Sequence, residues 1–146
     1  MKSNESTIVY ILVIVIAWFG AHLIKYIIDR INNVNHGFSA RLFMSGGMPS
    51  SHSSTAVSLA TMIGLNYGFG SAIFSLAGLF SLIVMYDAAK VRRSSGEQGL
   101  AIQQLIKEQK SKVKLPRAAQ GHTPLEVAFG AIFGAVISVV VYLSTK

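Results

Sequence analysis

Two stretches of this sequence join a histidine to groups that handle anions. The first is Gly46-Gly47-Met48-Pro49-Ser50-Ser51-His52-Ser53-Ser54. Its glycines precede a proline that can open a helix. Such a turn exposes backbone N–H groups at a helix N-terminus, where an anion is favoured. Ser50 and Ser51 add hydroxyl donors, and His52 adds a group that titrates near neutral pH. Helix capping explains one serine of this run, but not the whole cluster of serines, glycines and histidine.

The second stretch is Gly121-His122-Thr123-Pro124-Leu125-Glu126. His122 and Glu126 are four residues apart, the spacing that puts two side chains on one helical face. A carboxylate that takes one imidazole N–H fixes the tautomer and leaves the other nitrogen free to attack or to accept a proton. Thr123, Pro124 and Glu126 also match the N-cap, N1 and N3 positions of a helix start, so Glu126 has a capping role open to it as well. Arg117, just upstream, is a candidate for binding a pair of phosphate oxygens.

A third cluster runs from Asp87 to Gln98 as DAAKVRRSSGEQ. Asp87 closes an apolar segment, where an ionised group is costly unless paired. Arg92 and Arg93 are its natural partners, and arginine clamps phosphate with two parallel hydrogen bonds. The arginines equally suit a membrane edge. Asp87 and Glu97 are the carboxylates to consider for a metal, but no ligand spacing supports one, so no metal and no cofactor are expected. His22, inside an apolar run, and His36, in a loop, receive no role.

The elements that must hold these residues are apolar. Residues 7–28 read TIVYILVIVIAWFGAHLIKYII, and about 20 apolar residues cross a bilayer as a helix. A cleaved signal peptide fits poorly, because the run is long and no small-residue cleavage site follows. Asn, Gly, Ser and Pro mark residues 32–49 as a loop. Helices are expected over residues 53–67, 71–85 and 123–143, with a turn at Asn66–Gly70. The second of these is rich in Ser, Ala and Gly, which let membrane helices approach closely. Between residues 90 and 121 lies a polar section with a partly amphipathic helix, LAIQQLIKEQ, either a solvated connector or a membrane-surface segment.

Composition agrees. Hydrophobic residues make up 51% of the 146, charged residues 13%, and mean hydropathy is +0.50. Soluble domains carry about 25% charged residues. With no cysteine, disulfides and thiolate chemistry are excluded. The net charge is +7, and eight of the thirteen Lys and Arg fall between Lys90 and Arg117. That block suits anionic lipid headgroups; it lacks the aromatic residues of a nucleic-acid stacking platform, so no nucleic acid partner is expected.

The expectation is one membrane-embedded domain over residues 1–146, an all-α polytopic bundle with about four transmembrane helices and a basic loop or helix between the third and fourth. Four spans would put the 32–52 and 90–122 loops on one side, with His52 and His122 at one membrane face. The positive-inside rule makes that side cytoplasmic. Four short helices bury little surface alone, which is compatible with a homodimer.

Together the segments GGMPSSHSS (46–54), DAAKVRRSSGEQ (87–98) and GHTPLEVAFGAIFG (121–134) resemble the divergent branch of the type-2 phosphatidic acid phosphatase superfamily, relatives of the vanadium haloperoxidases. The resemblance spans nearly the whole chain. It implies a helical membrane bundle and metal-free hydrolysis of phosphate monoesters. Pro49-Ser50-Ser51-His52 matches the family's P-S-G-H motif. By that match Ser50 and the Ser51 amide hold phosphate, and His52 protonates the leaving alkoxide. By the match to the third motif, His122 is the nucleophile and Glu126 orients it.

The sequence departs from the pattern in several places. Serine stands for glycine before His52, glutamate for the usual aspartate, and Arg117 lies one residue closer to His122. The usual first motif, K-x6-R-P, is missing ahead of Pro49, which leaves the Asp87–Gln98 segment to supply cations. The expected function is therefore a membrane phosphatase acting on a lipid or isoprenoid phosphate. The alternatives are a phosphate-lipid binder or carrier without catalysis, and a structural membrane subunit.

Overall fold

A computed structural model describes residues 2–34, 37–43, 46–116, 118 and 121–146. Helices are α1 (Lys2–Ile31), α2 (Phe38–Phe43), α3 (Ser51–Tyr67), α4 (Ala72–Tyr86), α5 (Arg92–Glu108) and α6 (Pro124–Ser144), with a π-helical turn over Asp87–Val91. The described residues contain no strand.

Helix α3 is the centre of the bundle, and α1, α4 and α6 pack around it. At 17 residues it is short, and its buried face is made of serine and alanine rather than leucine. Ser50, Ser51, Ser53, Ser54 and Ser58 are all buried. Serine suits this position because it is small and because its hydroxyl can bond a neighbouring helix. Ser54 donates to the Ala17 carbonyl of α1 at 3.2 Å. Ser81 of α4 donates to the Ala56 carbonyl at 3.0 Å. Ser138 of α6 donates to the Ser58 carbonyl. Each neighbour of α3 is thus tied to it by one serine.

The register between α3 and α6 is read from their small residues. The Ser50 amide bonds the Glu126 carbonyl. Gly130 lies against the Ser50 carbonyl and Gly134 against the Ser54 carbonyl, so close that a Cβ at either would collide with backbone oxygen. Ser138 then meets Ser58, and Val141 clusters with Met62. Both stripes repeat every four residues, and both helices begin at the same end. They are therefore parallel, and their first turns lie side by side. Val13 joins Met62 and Val141, with Val9, Tyr10, Ile137 and Tyr142 around them. This apolar cluster fills the end of the bundle where the chain termini lie; the two candidate histidines lie at the other.

Helices α1, α4–α5 and α6 contain segments long and apolar enough to cross a membrane: Thr7–Ile31, Ala72–Glu108 and Pro124–Ser144. The protein is an integral membrane protein with a polytopic helical bundle. The apolar segment and the amphipathic helix expected to be separate are one continuous helix of 37 residues. That is about 55 Å at 1.5 Å per residue, well beyond a hydrocarbon core of about 30 Å. The π turn joins the apolar and polar parts without breaking the rod.

Candidate functional site

The first turns of α3 and α6 and the π turn after α4 meet at one end of the bundle, and each carries candidate residues. Thr123 caps α6 as its spacing predicts: the Glu126 amide donates to Thr123 Oγ1, and Pro124 opens the helix. Glu126 Oε2 accepts the Thr123 amide at 3.2 Å. The same oxygen lies 2.9 Å from Nδ1 of His122. Capping and histidine orientation are therefore both present, on one carboxylate oxygen. With Nδ1–H donating to Glu126, the lone pair of His122 is on Nε2.

His122 is held by its backbone as well. Its amide donates 3.0 Å to the Ala88 carbonyl, inside the π turn, where the Arg92 amide reaches five residues back to Asp87. Wide turns of this kind recur at functional sites, because they re-aim side chains within a helix. Gly121 lies against the backbone of Arg93, where any Cβ would collide with it. That close approach brings the His122 loop down onto the start of α5.

The resulting pocket has a volume of about 270 Å³ and is lined by His122, Glu126, Arg93 and Glu97, with Gly47, Gly96, Gly121 and others around them. The His122 side chain is only 5% exposed. Burial pushes its imidazole below the usual histidine value; the hydrogen bond with Glu126 pulls it back up, and the charges of Lys25 and Arg92 add to the lowering. Neutral imidazole, the form that can act as nucleophile, is therefore favoured at physiological pH.

His52 does not line this pocket. It stands exposed on the first turn of α3, with Nε2 3.5 Å from a terminal nitrogen of Arg92. Arg92 is held in turn by Asp87 at 2.6 Å. Arg93 pairs with Glu97 at 3.1 Å. Each carboxylate considered as a metal ligand thus faces an arginine. Among the described residues, no group of three or more His, Asp or Glu side chains gathers as a metal site would need.

Ser50 and Ser51 are buried, and neither lines the pocket. Ser50 is the N-cap of α3; its Oγ accepts from the Ser53 amide and from the Ser53 hydroxyl, the latter at 3.0 Å. Its side chain holds the helix start in place. Ahead of it Gly46 and Gly47 take positive φ of 89° and 81°, the backbone freedom the turn requires. Arg117 and His36 lie outside the described residues. His22 is buried against Trp18, ring centroids 4.7 Å apart.

A family model described as Divergent PAP2 family matches residues 7–137. The chain belongs to the Divergent PAP2 family. This Divergent PAP2 chain is also 35% identical over 111 residues to "Uncharacterized membrane protein YuiD" of Bacillus subtilis (strain 168), covering 66% of the chain and 70% of that relative. No solved structure matches it.

One buried charge near the candidate site of this Divergent PAP2 chain escaped the reading of motifs. Lys25 is 1% exposed, inside the first apolar helix, and its charge acts on His122. Val13, Ala17, Ala21 and Lys25 form one buried stripe on α1. Ala17 meets Ser54, and Val13 meets Met62, so α1 runs antiparallel to α3. Following that register two turns past Ala17 brings Lys25 to the start of α3, beneath the histidines. The signal was available: an ionisable residue within an apolar span marks function by default.

Proposed function

We propose that this Divergent PAP2 protein hydrolyses the phosphate monoester of a membrane lipid, acyl or isoprenyl, through a phosphohistidine at His122. The observation that carries the reading is the 2.9 Å contact between His122 Nδ1 and Glu126 on a buried ring that lines a pocket with Arg93. A histidine so held has its Nε2 lone pair aimed and its ring charge stabilised as it attacks.

In the first step Nε2 bonds to phosphorus while the bond to the lipid oxygen breaks. The lipid oxygen takes a proton from His52 and leaves as an alcohol. In the second, water attacks the phosphohistidine, gives its proton to His52, and releases inorganic phosphate with His122 restored. Arg92, Arg93 and Lys25 supply the positive charge that phosphoryl transfer needs around the moving group. At rest, Nε2 of His52 faces Arg92, a group that only donates. His52 takes up its proton once a bound phosphate draws that guanidinium away. The Ser51 amide, in the first turn of α3, adds to the anion's support.

The test is phosphate release from phosphatidate and isoprenyl phosphates by purified protein in nanodiscs. Wild type should turn over with EDTA present, and acid-labile, alkali-stable phosphate should be trapped on the protein. His122→Ala should lose turnover and the trapped phosphate while still binding the lipid phosphate. Binding by wild type without any turnover would make the protein a phosphate-lipid binder instead.

A further inference from the structure

A second concavity lies on the apolar side of the same end of the bundle. Leu82, Ile83, Tyr86 and Ala89 face Pro124 and Val127 of α6 across a groove of about 540 Å³. Leu82, Ile83 and Tyr86 are 62%, 58% and 65% exposed. The groove therefore opens outward, between two of the segments long and apolar enough to cross a membrane.

Lipid covers any such surface; position is what singles this one out. The first turn of α6 is a wall shared by two cavities. Thr123 and Glu126 line the polar pocket, while Pro124 and Val127 line the groove. On the facing helix Ala89 lines the groove, and its neighbour Ala88 holds the amide of His122. The depths also agree. From Leu82 to Ala89 the helix climbs about 10 Å, and the hydrocarbon of one leaflet is about 15 Å deep. The groove is thus short enough to fit within one leaflet, and it adjoins the first turn of α6, whose Thr123 and Glu126 line the polar pocket.

We propose that the groove between α4 and α6 is the chain site of the substrate, taking the hydrocarbon chain of the lipid whose phosphate monoester occupies the polar pocket. This rests on the phosphatase reading of His122. The ligand it fits is an amphiphile, a long apolar chain ending in phosphate. The protein would take its substrate sideways from the leaflet. Esters without a chain would forgo the groove.

The experiment uses the full chain in nanodiscs and has two arms. In the first, KM is measured for dioleoyl phosphatidate, farnesyl phosphate and phenyl phosphate. Ile83→Trp plugs the groove from its rim. It should raise the KM of the chain-bearing substrates relative to phenyl phosphate about tenfold, the effect of expelling about two methylenes. The chain-bearing substrate with the larger shift identifies the source of the chain. An unchanged ratio overturns the chain site.

The second arm needs no turnover. Phosphatidate with a diazirine in the upper half of its chain is photolysed with the His122→Ala protein. Residues 82–89 and 124–127 should be labelled about tenfold above the level given by the same chain on phosphatidylcholine. Equal labelling by the two lipids means the groove meets bulk lipid only, and overturns the proposal. Enriched labelling without hydrolysis of any substrate would remove the phosphatase reading and leave the chain site standing.

Discussion

Replacing Glu126 by glutamine separates the two tasks that one carboxylate oxygen performs. Oε2 accepts both the Thr123 amide and Nδ1–H of His122. A glutamine oxygen can still accept both, so the helix cap and the tautomer survive and only the charge is lost. In the proposed mechanism the ring turns positive as Nε2 attacks phosphorus, so that charge matters most in the transition state. A hydrogen bond to a charged partner contributes about 1.5–3 kcal/mol, against about 0.5–1.5 for a neutral one. The difference of about 1–2 kcal/mol corresponds to a roughly 5- to 30-fold fall in kcat, with KM and melting temperature little changed. Alanine instead strips the partner from a buried nitrogen, which costs about 1–3 kcal/mol of stability, and it frees the tautomer, so its kcat should fall further.

The pH profile adds a second reading. Glu126 raises the His122 pKa against the larger lowering by burial. The proposed nucleophile is the neutral ring, so the acidic limb of kcat/KM should lie below the usual histidine value of about 6.5. In Glu126→Gln it should move lower still. The assay is initial-rate phosphate release in nanodiscs between pH 4 and 8, with thermal melting followed by circular dichroism. A glutamine variant with kcat within about twofold of wild type and an unmoved limb would refute the reasoning and reduce Glu126 to a cap.

Three further outcomes follow from the geometry. Lys25→Gln should raise KM and move the acidic limb upward, the direction opposite to Glu126→Gln, because Lys25 lowers the His122 pKa; a pH–rate series reads both. Gly134→Ala should destabilise the bundle by about 1–3 kcal/mol, because its Cβ would meet the Ser54 carbonyl; melting in detergent measures it, and an unchanged midpoint would deny the close approach of α3 and α6. A cysteine placed at Lys110 should resist an impermeant maleimide in intact cells, as the Lys and Arg load of that loop predicts; labelling from outside would reverse the orientation.

Short-range physics made much of this protein legible from its residues. The apolar runs had to become helices, because a backbone in hydrocarbon must satisfy its own hydrogen bonds. Thr123, Pro124 and Glu126 had to start one, because N-cap, N1 and N3 chemistry is complete within four residues. The His122–Glu126 pair was legible too, although His122 stands before the N-cap: the carboxylate that turns back to the Thr123 amide also reaches the ring of His122. What the sequence could not decide were meetings between segments far apart in the chain. Ser51, Ser54 and Ser58 lower the hydropathy of α3, yet it is the buried centre, because Ser54 bonds α1, Ser81 and Ser138 bond its carbonyls from α4 and α6, and its small residues let Gly130 and Gly134 close in. That contact makes α3 and α6 parallel and brings their first turns, with His52 and His122, to one end. The π turn carries α4 into α5 as one rod and sets Arg92 beside His52, where sequence spacing offered only two arginines after an aspartate. Lys25 stands inside the apolar run of residues 7–28, and no spacing ties it to either histidine. Only the antiparallel packing of α1 on α3 brings its buried charge beneath the histidines, and that register depends on which small side chains meet across the interface.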